Sequence, residues 1–320
     1  MSARSHRLPP AQQAAIRRAC WLQGVWIFFL TTIVLAMYFT LGSSQAMKTA
    51  WMEDLLSFVP PVAFLAAVWI ERWKANARYP LGFVRIASIS YLVAAVSLAG
   101  VALFMIYDSA SALIAAEHPT IGSVEFFGWT FWFGWLMIAA LVYSVIPPVI
   151  FGRLKMKPAQ QLHDKVLYAD ALMNKADWMT GAAAVVGVLG IGLGWWWADA
   201  VAAMVIALDV LHDGYRHTMA AVRDLMDKTP RTVDDKNIDP LPKRAKETID
   251  ALPWVRSTKV QFREEGRYLS GSIFVVPAES SVSAEAIADG ERRLKQIDWR
   301  MRMISLVVIP HIGQVEEQEL

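Results

Sequence analysis

Ala169-Asp-Ala-Leu-Met-Asn-Lys-Ala-Asp177 opens an apolar run that continues past Gly181-Ala-Ala-Ala-Val-Val-Gly-Val-Leu-Gly190 to Gly194-Trp-Trp-Trp-Ala-Asp199. If residues 169–193 form one helix, Asp170, Met173 or Asn174, and Asp177 share a face, at spacings of three, four and seven. Carboxylates inside a membrane helix are costly and face a bundle interior or an aqueous cavity. That face is where function is expected.

The surrounding chain supports a membrane reading. Of 320 residues, 55% are hydrophobic, 14 are Trp and 19% are charged, against about a quarter charged in soluble domains. Six apolar stretches are long enough to span, each needing ~20 residues. They run over Cys20–Leu41, Ala50–Ile70, Leu81–Tyr107, Phe127–Phe151, Val166–Leu193 and Trp195–Tyr215. The second contains Pro60-Pro61 and the fourth Pro147-Pro148, so both are expected to bend.

Basic residues set the orientation. Arg4, Arg7, Arg17 and Arg18 precede the first span, Arg72, Lys74, Arg78 and Arg85 surround the second loop, and Arg153, Lys155, Lys157 and Lys165 the fourth. The third loop offers Asp108, Glu117 and Glu125, and the fifth is uncharged. Both termini are expected in the cytoplasm of a multi-pass protein, in a bacterial-type inner (plasma) membrane. The first apolar run is too long for a cleaved signal peptide. Cys20 is the single cysteine, so neither an intramolecular disulfide nor a multi-Cys metal site can form. A net charge of +2 implies no nucleic-acid partner.

Past Asp227-Lys-Thr-Pro230 the composition becomes that of a small soluble unit. A helix is expected over Ile238–Leu252, strands over Trp254–Glu264 and Arg267–Val276 with Gly266 in the turn, a helix from the cap Ser283 to Ile297, and a strand over Met301–Ile309. This αββαβ order is roughly ferredoxin-like. The expected fold is therefore an all-α, six-helix transmembrane bundle with a C-terminal cytoplasmic α+β domain. Its parts are a cytoplasmic N-terminal segment (1–19), the six-helix domain (20–219), a linker (220–230), the ferredoxin-like domain (231–312) and an acidic tail (313–320).

With these features in view, the sequence resembles the cation diffusion facilitators, a family of divalent-metal/proton antiporters. The family commonly reads Ala-Asp-Ala-Leu-His-Asn-x-x-Asp where this chain has Ala169 to Asp177; Gly194-Trp-Trp-Trp-Ala-Asp199 and Leu225-Met226-Asp227 are further similarities. The resemblance implies a transport site of one residue pair on the second helix and another on the fifth. Counting forward from Gln45, or backward from Arg78-Tyr-Pro-Leu-Gly-Phe-Val-Arg85, which resembles the family's His-Pro-Phe-Gly-His-Gly-Arg loop, puts the first pair at Glu53 and Ser57. The second pair is Met173 and Asp177.

Family sites are built from His and Asp, so Met173 and Ser57 are departures. Tyr79 and Phe83 stand where the loop histidines would, and Leu269–Val276 carries no histidine, so the loop site and the bridging zinc cluster of the C-terminal domain are expected to be missing. His311 lies two residues beyond the family's ligand position.

Two carboxylates, Glu53 and Asp177, can neutralise a divalent ion. Asp54 is an alternative ligand, and Asn174 can supply a carbonyl oxygen in place of the Met173 thioether. Ser57 can equally bond a backbone carbonyl near the proline pair. Asp170 is a secondary metal-site candidate that can attract cations at the cytoplasmic entrance, with pairing to a basic loop residue the expected role; Asp209 and Asp213, four apart, can make another paired site, with a salt bridge near Arg216 the expected role. His163, His212, His217 and His118 are expected to be solvated, and Trp195–Trp197 to form an interfacial belt.

The implied function is secondary active export of divalent metal from the cytoplasm in exchange for protons, with the metal as cargo, no prosthetic group, and a homodimeric assembly in the bilayer. The alternative is a non-transporting membrane partner or regulator derived from such a transporter. An enzyme is not expected: the chain has no HExxH motif, phosphate loop or nucleophile elbow.

Overall fold

The structure is a computed structural model that describes residues 8–116, 120–126, 129–279 and 281–313, without the side chains of 124, 126, 129, 175–177 and 302. Its helical part comprises α1 (Pro10–Thr40), α2 (Gln45–Leu56), α3 (Val59–Ile70), α4 (Ile86–Ile114), α5 (Gly134–Leu162), α6 (Lys165–Gly192) and α7 (Trp196–Leu225). Among the described residues, four segments are long and apolar enough to cross a membrane: Pro10–Thr40, Gln45–Ile70, Ile86–Ile114 and Gly134–Leu162.

The local chemistry explains where these helices begin and break. Ser44 caps α2 through Met47 N–H, and the buried Asp199 of α7 reinforces that cap by accepting from Ser44 Oγ at 2.5 Å and from the Gln45 and Ala46 amides. Free amides at a helix start favour a carboxylate there. α2 stops at Ser57-Phe58, and α3 restarts with Pro60 and Pro61 in its first turn, where a missing N–H costs nothing. The expected bend is thus a break in the helix. α5, by contrast, runs continuously through Pro147, Pro148 and Pro158. Asp164 caps α6 through Leu167 N–H at 2.9 Å, and α6 is one unbroken helix, as its face-sharing requires. α4 and α7 cross at Gly214, where an added Cβ would stand 2.7 Å from the Ala99 backbone nitrogen.

Some sequence expectations need correction. The apolar run read as one span over Phe127–Phe151 is not helical at Trp129–Trp132: β1 (Ser123–Phe126) and β2 (Trp129–Trp132) form an antiparallel hairpin, and α5 starts only at Gly134. Alternating aromatic residues suit a strand as well as a membrane helix. Asp108, read as a loop residue, lies within α4, and Arg153, Lys155 and Lys157 lie within α5. Glu117 and His118 fall outside the described residues.

The C-terminal unit has α8 (Leu241–Asp250), β3 (Val255–Glu265), β4 (Tyr268–Pro277), α9 (Ala284–Ile297) and β5 (Met301–Val308), in the expected αββαβ order. The sheet order is β3-β4-β5, antiparallel then parallel. Leu241, Ala245 and Ile249 of α8 and Leu294 of α9 close a core against Val260, Phe262, Ile273 and Val275. Ser283 caps α9 through Ala286 N–H, with Glu285 in the first turn.

The β3–β4 turn reaches the helical part. Gly266 has φ 62°, and an added Cβ would stand 3.0 Å from Val84 O and 3.2 Å from Ala87 Cβ. Behind it Arg267, 1% exposed, donates from Nε to Asp164 Oδ2 and from Nη1 to Glu71 Oε2, each at 2.6 Å. Lys165 Nζ reaches Asp224 Oδ2 at 2.8 Å and Glu264 Oε2 at 2.6 Å. Arg85 and Arg263 both meet Asp227 and Glu265. The hairpin tip is therefore clamped by charge between the ends of α3, α4, α6 and α7.

Candidate functional site

α2 and α3 are interrupted at Ser57-Phe58. Beside this interruption, one cavity of about 360 Å³ is lined by Glu53 and Ser57 of α2 and its C-cap, Leu98 of α4, Met173 and Thr180 of α6, and Val210, Asp209 and Asp213 of α7. Three of the four implied site positions thus meet in one cavity. The Asp177 side chain lies outside the described residues; position 177 is in α6, four after Met173 and three before Thr180, both of which line the cavity. Among the described residues, no three His, Cys, Asp or Glu side chains converge as a preassembled metal cluster.

Asp209 and Asp213 correct the sequence reading. Neither makes a salt bridge among the described residues; they face the cavity with Glu53, because a spacing of four puts both on one stripe of α7. Ser57 behaves as the alternative reading had it: Oγ donates to Glu53 O at 3.1 Å, although the residue still lines the cavity. Asp54 lines a neighbouring cleft with Glu53, Ser144 and Thr180. Asn174 is 2% exposed, and its Nδ2 has no hydrogen-bond partner among the described residues.

The charge of Asp170, in the opening motif, is compensated. Its Oδ2 accepts from Lys155 Nζ and from Gln23 Nε2, both at 2.7 Å, and Lys155 and Asp170 are 0% and 2% exposed at their side chains. Lys155 also stands 4.8 Å from the centre of the Trp26 ring, a cation–π distance. Pairing of Asp170 was expected, but with a loop cation; the partner is inside a helix. Nothing in the sequence separates Lys155 from its basic neighbours, so tertiary contact alone reveals it.

The histidines are not simply solvated. His217 of α7 is half-buried and hydrogen-bonds Tyr91 Oη through Nδ1 at 2.8 Å. His163, left-handed at φ 50°, meets Arg231 O at 3.1 Å and stands 3.9 Å from both Glu264 and Asp239. Burial alone would raise the Glu264 carboxyl, but the His163 and Lys165 contacts outweigh it and hold it down at about 2. His212 is exposed. Trp195 and Trp197 stack with ring centres 6.2 Å apart, both about half exposed.

A family model of the cation efflux transmembrane domain matches residues 22–226. The chain belongs to the cation efflux family. Its match thus spans α2, α6 and α7, the helices that carry the cavity. Among curated relatives it is 22% identical over 274 residues to magnetosome protein MamB of Magnetospira sp. (strain QH-2), covering 84% of this chain and 87% of that one. It is 24% identical to the putative transporter MamV of Paramagnetospirillum magneticum (65% and 60%), and 23% identical to a cadmium, cobalt and zinc/H(+)-K(+) antiporter of Bacillus subtilis (58% and 55%). A member of the cation efflux family with four spanning-length apolar segments among its described residues is an integral membrane protein of the metal-cation transport type, and at these identities a divergent one.

Proposed function

We propose that this chain exports divalent metal cations from the cytoplasm in exchange for protons, through the cavity at the α2/α3 break. The observation that carries the proposal is the convergence of Glu53, Ser57, Met173, Asp209 and Asp213 on that cavity, with position 177 between two of its lining residues. α6 and α7 complete six spans, with both termini and a ferredoxin-like domain on the cytoplasmic side, and the protein works as a homodimer. Carboxylates that take the metal must release protons, so metal and protons compete for one site. Because Met173 does not titrate, the exchange falls on Glu53 and Asp177, with Asp209 and Asp213 adding negative charge. Oxygen donors with one thioether leave the choice of metal to the balance of hard and soft ligands.

The test is metal-driven proton flux in vesicles. Asp177→Ala and Glu53→Gln should each abolish flux in folded, inserted protein. Undiminished flux in both would remove the site from this cavity. A second reading, a non-transporting partner, is favoured by Met173 and Ser57 at ligand positions, and flux absent from the parent protein would establish it.

A further inference from the structure

The loop from α3 to α4 carries a ladder of aromatic rings and a set of unpaired cations. Trp69 closes the spanning segment Gln45–Ile70 and is 61% exposed, so its ring meets lipid. Trp73 packs edge-on against Trp69 with ring centres 4.9 Å apart, Phe83 packs on Trp73 at 5.5 Å, and Tyr79 on Phe83 at 4.8 Å. The lipid-facing side of α3 thus continues into the loop, where Trp73, Tyr79 and Leu81 are exposed. We propose that this loop is a docking surface for anionic phospholipid headgroups. The assignment requires only that the chain spans a bilayer.

Charge complementarity decides the occupant. Residues 72–85 hold Arg72, Lys74, Arg78 and Arg85 and no acid. Arg85 is engaged by Asp227 and Glu265, and the preceding Glu71 by Arg267. Arg72, Lys74 and Arg78 are exposed and make no ion pair among the described residues. Trp and Tyr settle at headgroup level, and each nearby Lys or Arg adds attraction to an anionic leaflet. Because the ladder starts on a lipid-facing ring, the occupant that already touches Trp69 is the one placed to cover Trp73.

The loop is built to hold this shape. Asn76 Oδ1 accepts from the Arg78 and Tyr79 amides at 3.0 and 2.8 Å, and Asn76 and Tyr79 exchange both backbone hydrogen bonds at 3.1 Å. Ala77 and Arg78 are therefore the tip of a tight turn. Gly82, at φ 78°, reverses the chain so that Phe83 returns to the Tyr79 ring. Next to Phe83, Val84 is buried, with its carbonyl beside Gly266 of the β3–β4 turn. The cytoplasmic-type domain holds the loop at Val84 and leaves its rings and cations uncovered.

The test uses full-length protein in phosphatidylcholine nanodiscs doped with brominated phosphatidylglycerol or brominated phosphatidylcholine, whose bromines quench tryptophan on contact. Subtracting the signal of Trp73→Phe isolates Trp73. In the parent, Trp73 should be quenched at a far lower mole fraction of the brominated phosphatidylglycerol, and the preference should fade at about 0.5 M salt. Arg72→Gln/Lys74→Gln/Arg78→Gln should raise the mole fraction for half-quenching on the order of 100-fold, at roughly fivefold per cation. The charge-matched control Lys243→Gln/Arg244→Gln/Arg256→Gln, on the C-terminal unit, should behave as the parent. Equal quenching by the two lipids, or a control as weak as the loop variant, would overturn the headgroup surface. So would displacement by inorganic phosphate, which would make the loop a site for a soluble anion, or a Trp73 that neither lipid quenches, as when a second copy covers it. Flux enters none of these readings, so the proposal stands or falls apart from the transporter reading.

Discussion

Lys155→Met should destabilise the helical part more than any surface change. Lys155 Nζ and Asp170 Oδ2 stand 2.7 Å apart, with side-chain exposures of 0% and 2%. At an effective dielectric constant of ~20, two unit charges at that distance attract by about 6 kcal/mol. Desolvation of both ions offsets much of this, so the pair as a whole contributes little. Removing one partner is different, because it strands the other: the expected loss is about 3–5 kcal/mol. Gln23 alone cannot neutralise the carboxylate that remains. Asp170→Asn should also destabilise, because it takes away the buried carboxylate that the ammonium faces. The double variant Lys155→Met/Asp170→Asn should return to within about 1 kcal/mol of the parent, since methionine can still pack on Trp26 and asparagine can still accept from Gln23. Equilibrium unfolding in bicelles measures all four proteins. Lys155→Met within about 1 kcal/mol of the parent, or a double variant as weak as the sum of the singles, would refute the reasoning.

Arg267→Met removes the cation that Asp164 Oδ2 and Glu71 Oε2 share at the hairpin tip and should cost about 3–5 kcal/mol, seen as faster hydrogen exchange in β3 and β4; unchanged exchange would mean the clamp is idle. Glu264 has its folded value lowered from 4.5 to about 2, so its stabilising effect is complete above pH ~4.5 and is lost as pH falls toward ~2. The effect is on the order of 3 kcal/mol, and Glu264→Gln should lose it at neutral pH and flatten the acid limb of the melting curve; a parallel pH profile in parent and variant would contradict it.

How far the sequence was legible follows from what each pattern encodes. Periodicity reports faces, so the α6 stripe of Asp170, Met173 and Asn174 and the αββαβ order were both readable. Gly266 announced its hairpin, because a two-residue turn needs a positive φ. Where that hairpin ends up was not readable: Arg267 looks like any exposed turn residue until Asp164 and Glu71 close on it. Lys155 was read as a loop charge because a lysine after an apolar run looks the same whether it meets lipid headgroups or a buried acid. Asp209 and Asp213 were legible as a pair, but not their direction, since a nearby Arg216 made an ion pair the simpler expectation. The β1–β2 hairpin vanished into the next apolar run because hydropathy cannot separate aromatic strands from helix.

The misses at Lys155, Asp209 and Asp213 share one cause. A charge in a membrane helix signals either compensation or function, and the choice depends on what a different helix brings to it. Asp170 meets Lys155 from α5 and Gln23 from α1, so its charge is compensated. Asp209 and Asp213, on another helix, meet no cation within ion-pair distance among the described residues and border the same cavity as Glu53. The acids differ in partner, not in type or local pattern. Composition and spacing can therefore find the acids of such a bundle, while sorting them into structural and working ones requires the packing of α1, α5 and α7 around α6.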